Sequence, residues 1–124
     1  MPARQYSARM LDRTRKLVSG VVDLAKDTIG PGKKVEEGRA ALDPFADALD
    51  AHLGDLRVAL RLSPASASEA APHIEAAQAA RDAARPAVTE AKSEEEVTVA
   101  RAQLEGGLRA AQRAWAVIDG APRA

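Results

Sequence analysis

LDPFADALDAHLGDLRVAL, residues 42–60, decides the fold. Leu42, Phe45, Leu49, Leu53, Leu56 and Leu60 recur in steps of three and four, which puts all six on one side of an α-helix. A strand would need apolar and polar residues to alternate, and no stretch of the chain does so. The helical pattern extends over about 35–62, with Pro44 inside it. With Asp43 as N-cap and Pro44 at the first helical position, a long helix starts there and residues 35–42 form a short preceding turn or helix. One helix kinked at Pro44 fits the same pattern, and the residues do not choose between the two.

Towards the N-terminus, Ser7 is placed to cap a first helix running to about residue 29, which leaves 1–6 as a flexible arm. Its seam is Met10, Thr14, Leu17, Val21 and Leu24, widened by Leu11, Val18 and Val22, and Gly30-Pro31-Gly32 ends it. Beyond the central stretch, residues 63–68 (SPASAS) are a loop by composition, and a third helix follows over about 72–91. Ile74 and Val88 are its only large apolar residues. The rest of its inner face is Ala77, Ala80, Ala84 and Ala87, which allows a neighbouring helix to approach to about 8 Å. Pro86 predicts a kink or an early end.

Ser93 with Glu96 three residues on is a capping box. It opens a fourth helix with Val97, Leu104, Leu108, Ala111, Trp115 and Ile118 as seam, ended by Gly120 and Pro122, with 120–124 as a tail. Ala100 takes the inner position there and Arg101 the boundary. The chain therefore reads as one all-α domain over 1–124, a small antiparallel up-and-down four-helix bundle with an Ala-rich third helix. In that topology the first and fourth helices are neighbours, and Val97, Leu104, Leu108 and Ala111 face Leu17, Val21 and Leu24.

The core implied by this pattern is thin. Hydrophobic residues are 46% of the 124, but 29 of them are Ala, and Tyr6, Phe45 and Trp115 are the only aromatics. A buried large aliphatic side chain contributes roughly 1.5–3 kcal/mol and an Ala far less, against about 1.5 kcal/mol per residue for ordering the chain. A partner or self-association is the expected remedy. With no Cys, disulfides, thiolate metal sites and cysteine nucleophiles are excluded. Met1-Pro2-Ala3-Arg4-Gln5 leads into no apolar signal-peptide core, and no stretch approaches the ~18 apolar residues of a membrane span. The expectation is a cytoplasmic protein that does not engage membranes, a virion or other large assembly being compatible with it.

His52 and Asp55, beside the Asp43, Asp47 and Asp50 stripe, invite a metal reading. A di-iron bundle needs inward carboxylates and two Glu-x-x-His pairs, and the chain has no Glu-x-x-His. The expected arrangement is a solvated acidic stripe next to a boundary histidine. Gly30-Pro31-Gly32-Lys33-Lys34 lacks the preceding strand and the Ser or Thr after lysine that a phosphate loop requires. The serines lack a G-x-S-x-G elbow. No catalytic residue, metal ligand, cofactor or small-molecule ligand is therefore assigned. Gly106-Gly107 inside the fourth helix costs about 1 kcal/mol per glycine, which reads either as a close helix–helix approach or as local tolerance. Trp115 is core by its seam position, and an interface anchor if exposed.

Lys+Arg and Asp+Glu are 18 each, so bulk charge draws the protein to neither nucleic acid nor membrane. The layout along the chain is uneven. An up-and-down bundle gathers residues 1–18, 53–75 and 106–124 at one pole, with ten positive residues against five negative, and leaves the opposite pole at −5. Arg9, Arg13, Lys16, Arg57, Arg61, Arg109 and Arg113 are the candidate contacts for an anionic partner. The favoured function is a non-catalytic helical interaction or assembly module, self-associating as a homo-oligomer or docking on a protein partner. Nucleic-acid binding through Arg4, Arg9, Arg13, Arg15 and Lys16 is the alternative, with phosphates as the target. A small-ligand bundle or enzyme ranks last, because the inner faces offer almost no polar groups.

Overall fold

A computed structural model describes residues 3–24 and 34–120, with side chains over 8–24 and 35–120. It is a helical bundle of α1 (Ala3–Leu24), α2 (Lys34–Leu62), α3 (Ala67–Glu90) and α4 (Glu94–Asp119), with a short 3-10 turn at Pro64–Ser66. The expected end of the first helix near residue 29, the Gly30-Pro31-Gly32 breaker and the chain beyond Gly120 lie outside the described residues.

α4 packs against all three other helices, and most extensively against α3. Its start follows from the capping box. The Ser93 hydroxyl accepts the Glu96 N–H at 3.1 Å, while the Glu96 carboxylate accepts the N–H of Lys92 at 2.6 Å, one residue ahead of the usual partner. Leu104, Leu108, Ala111 and Trp115 are fully buried along its seam. Ala100 is fully buried as well, and Arg101 sits at the boundary, 3.6 Å from Glu105.

The alanine face of α3 is the reason α3 and α4 fit closely. Ala70, Ala77 and Ala84 are buried with Ile74 and Val88, and Gly107 of α4 sits opposite. A Cβ on Gly107 would lie 2.7 Å from the Leu49 side chain of α2 and 3.1 Å from the Ala80 Cβ. Three helices meet at that glycine, whereas Gly106 beside it faces open space. The alanine face is thus covered within the chain itself. Val97 is only half-buried and packs against Gly38 of α2.

The structure decides between the two sequence readings of α2 and moves the start of α3. α2 runs unbroken through Pro44, so Asp43 is no N-cap and no separate helix precedes it. α3 starts at Ala67 rather than near Pro72, and it runs past Pro86 to Glu90. The physical reason is common to the three prolines. Pro44, Pro72 and Pro86 are exposed, and so are Ala40, Ser68 and Asp82, whose carbonyls lose their partner four residues on. The freed carbonyls thus belong to residues on the solvent side, where water can replace the lost donor, and core residues on both sides of each proline keep the helix together. α1 is already helical at Ala3, so Ser7 lies inside it and does not cap it.

Contacts show how the helices are aligned. Along α2 and α3, Arg39 meets Val88, Asp47 meets Arg85, Asp50 meets Arg81 and Arg57 meets Gln78, so numbers rise on one helix as they fall on the other. Along α2 and α4, Gly38 meets Val97, Leu49 meets Gly107 and His52 meets Trp115, so both rise together. Arg39 also places its guanidinium on the Val88 and Thr89 carbonyls, which the end of α3 leaves without helical donors. α1 and α2 touch least of the adjoining helices, and a groove opens between them.

Candidate functional site

The candidate cations divide into groups that chain position does not separate. Arg109 and Arg113 of α4 line a groove of about 240 Å³ with Leu11 and Arg15 of α1 and with Gln112 and Ala116. No carboxylate lines it. Arg15 and Arg113 have no ion-pair partner among the described residues, and Arg109 reaches Glu105 at 3.4 Å. Arg15 was counted with the basic N-terminal helix but was not among the seven candidate contacts. The signal for it was its place one turn after Leu11, on the flank of α1 that turns towards α4.

Arg13 and Lys16 lie on the other flank of α1, facing α2, and Lys16 pairs with Asp12 at 3.2 Å. Arg9 is exposed. Arg57 and Arg61 stand on the outer side of α2, where Arg57 donates to the Gln78 side-chain oxygen. Val58 (52% exposed) and Leu62 (77% exposed) stand among them. The structure therefore brings Arg109 and Arg113 together and leaves the other five candidates spread over α1 and α2.

The aspartate stripe is not simply solvated, as the sequence suggested. Arg85 of α3 reaches Asp47 at 2.7 Å, Asp50 at 2.9 Å and Asp43 at 3.9 Å. Arg81 donates to Asp50 at 2.5 Å and reaches Asp82 at 3.1 Å. Burial pushes the Asp50 carboxyl up, but the bonds and charges of Arg81 and Arg85 outweigh it and hold the group below its ordinary 3.8. The stripe is one half of a clasp between α2 and α3. Its spacing of three and four residues was legible, while its partners on α3 depended on the helix alignment.

His52 also departs from expectation. It is 5% exposed rather than at the boundary, and its Nδ1 accepts the indole N–H of the fully buried Trp115 at 3.1 Å. The rings meet edge-on at 6.3 Å. Trp115 is therefore core, and the condition under which it would anchor an interface is not met. An indole N–H can only donate, so the neutral His52 ring carries its proton on Nε2. Burial disfavours the charged ring and Arg13 adds to that, against Asp55, so the group titrates below its ordinary 6.5.

Among the described residues no group of three or more His, Cys, Asp or Glu side chains is placed to hold a metal ion. No helix among them is long and apolar enough to cross a membrane. No protein-family model matches the chain, and neither does any curated protein or solved structure.

Proposed function

We propose that the protein is a non-catalytic helical assembly module that docks through its basic α1/α4 face on an acidic protein surface, the acidic end of a second copy above all. The observation that carries this is the groove in which Arg15, Arg109 and Arg113 converge without a carboxylate, while the arginines of α3 are matched by aspartates. Like charges gathered at one place raise the energy of the free protein, and an anionic surface lowers it. The helix alignment supports a counterpart in the same molecule. Glu36, Glu37, Glu90, Glu94, Glu95 and Glu96 are exposed at the start of α2, the end of α3 and the start of α4, far from the arginines. Basic-to-acidic docking between copies is head-to-tail, so it builds rings or filaments unless a closed dimer forms.

Because α4 covers the alanine face of α3, that face adds nothing to the proposal; the charge layout supports it. Sedimentation in about 0.05 M and about 1 M salt is the test, since the Debye length shrinks from more than 10 Å to about 3 Å over that range. Masses above 13.0 kDa at low salt that fall to that value at high salt are the expected result. Arg113→Glu should abolish the larger species. A monomer at both salts, even at high protein concentration, overturns self-association.

A second reading has its own observation. Arg9, Arg13 and Lys16 share a stripe of α1 suited to phosphates, so nucleic acid is the alternative occupant. Trp115 is buried and Phe45 packs on Gly20, so neither offers a platform for base stacking, and the stripe's contacts are to phosphates. Anisotropy with a labelled duplex at about 50 and 200 mM salt decides it, and no binding at the lower salt rejects it.

A further inference from the structure

The groove between α1 and α2 carries chemistry that the basic face does not use. It measures about 400 Å³, within the usual range for small-ligand sites, and is lined by Met10, Arg13, Lys16 and Leu17 of α1 and by Ala48, Ala51, His52 and Asp55 of α2. His52 closes it as a polar wall that is otherwise buried. With Nδ1 held by Trp115, its remaining polar atom is Nε2–H on the opposite edge of the ring, which has no partner among the described residues. Arg13 and Asp55 line the same groove, and both act on the charge of the His52 ring. Neither is paired with the other or with any other group among the described residues. Opposite charges that share one groove without meeting leave a gap to be bridged, and Met10, Leu17, Ala48 and Ala51 supply an apolar surface beside it.

We infer that this groove binds a small zwitterion with an apolar body, of the class of an α-amino acid with an aliphatic side chain. The carboxylate lies between the Arg13 guanidinium and the Nε2–H of His52, the ammonium lies at Asp55, and the aliphatic chain covers Ala48, Ala51 and Leu17. A simple carboxylic acid would leave Asp55 unmatched and repelled, and a simple amine would do the same to Arg13. The low contact between α1 and α2 gives the groove room to close on a ligand without disturbing the α3/α4 core. The site lies on the flank of α1 opposite Arg15, so its failure would leave the proposed docking face standing.

The single Trp gives one indole N–H signal in a ¹H–¹⁵N spectrum, one hydrogen bond away from the groove wall. Titration with leucine to about 20 mM, well above the ~1 mM affinity expected of so few atoms, should shift that signal saturably. 4-Methylpentanoate, which lacks the ammonium, and 3-methylbutylamine, which lacks the carboxylate, should each bind at least tenfold more weakly. Arg13→Gln and Asp55→Asn, both outside the core, should each cost tenfold with the fold intact by circular dichroism. No shift with leucine overturns the inference. So does equal binding of either half-ligand, or wild-type affinity in both variants.

Discussion

The two long sides of the bundle treat arginine in opposite ways. Between α2 and α3, Arg81 and Arg85 lie within reach of Asp43, Asp47, Asp50 and Asp82, and each guanidinium has at least one bond of 2.7 Å or less. Between α1 and α4, Arg15 and Arg113 have no ion-pair partner among the described residues, and Arg109 reaches Glu105 of its own helix at 3.4 Å. Both sides cover a packed core, so burial does not explain the contrast. It lies in the sequence pattern: α2 repeats Asp at 43, 47 and 50 opposite Arg81 and Arg85, while the facing positions of α1 and α4 repeat Arg alone. A side whose charges are internally matched is built to hold the chain together. A side whose charges are unmatched costs stability and gains only when something outside binds it.

The comparison is sharpest where the clasped side meets the core. Gly107→Val should cost about 3 kcal/mol, because its side chain would have to displace Leu49 and Ala80 where three helices converge. Gly106→Ala, one residue away in open space, should instead gain about 0.5–1 kcal/mol from helix propensity alone. Urea unfolding of the pair measures both signs. Loss from both would mean that α4 does not sit as described.

Next in size is the buried His52–Trp115 pair. His52→Leu removes the imidazole that accepts the buried indole N–H and should cost about 2 kcal/mol, and His52→Gln, whose carbonyl can accept, should recover part of it. The pH dependence follows from the lowered titration of the folded ring. Below the ordinary 6.5 the unfolded chain takes up a proton that the folded protein still refuses, so stability is full above 6.5 and declines as pH falls beneath it. Thermal melts between pH 8 and about 5 should show that decline in the wild type and lose it in His52→Gln.

The clasp itself ranks third. Asp50→Asn weakens the bonds from both Arg81 and Arg85, and about 1 kcal/mol is the expected loss once the partial exposure of all three groups is allowed for. Asp50 is held below 3.8 in the folded state, so its contribution is present above that value and disappears as pH falls through the folded titration. Melts of wild type and variant should therefore differ at pH 6 and draw together as pH falls below 3.8.

The helices themselves were legible from spacing, and so was the Ser93 cap, because those signals are local. Prolines left the course of α2 open and misplaced the start of α3. Their cost depends on whether the freed carbonyl faces water, and that is a property of the assembled bundle. Arg81 and Arg85 could not be matched to Asp50 in the sequence, since the pairing spans 31 and 35 residues and rests on helix alignment. His52 was misplaced for a related reason. A histidine beside an apolar seam is buried only if a donor waits for it, and its donor is on another helix, 63 residues away.

The smallest effect decides what the unmatched side is for. Arg113→Gln removes a charge that has no partner among the described residues, so the stability of the monomer should move by less than about 0.5 kcal/mol, if anything upward as repulsion with Arg109 and Arg15 eases. Urea unfolding at about 1 M salt, where copies are apart, gives that number for the monomer alone. The same variant at about 0.05 M salt should lose the larger species seen by sedimentation. A near-zero change in stability together with lost association ties the arginine to a contact outside the chain. If Arg113→Gln instead cost more than 1 kcal/mol at high salt, the α1/α4 arginines would be holding this chain together like those of α3. The contrast between the two sides, and the docking face drawn from it, would then fall.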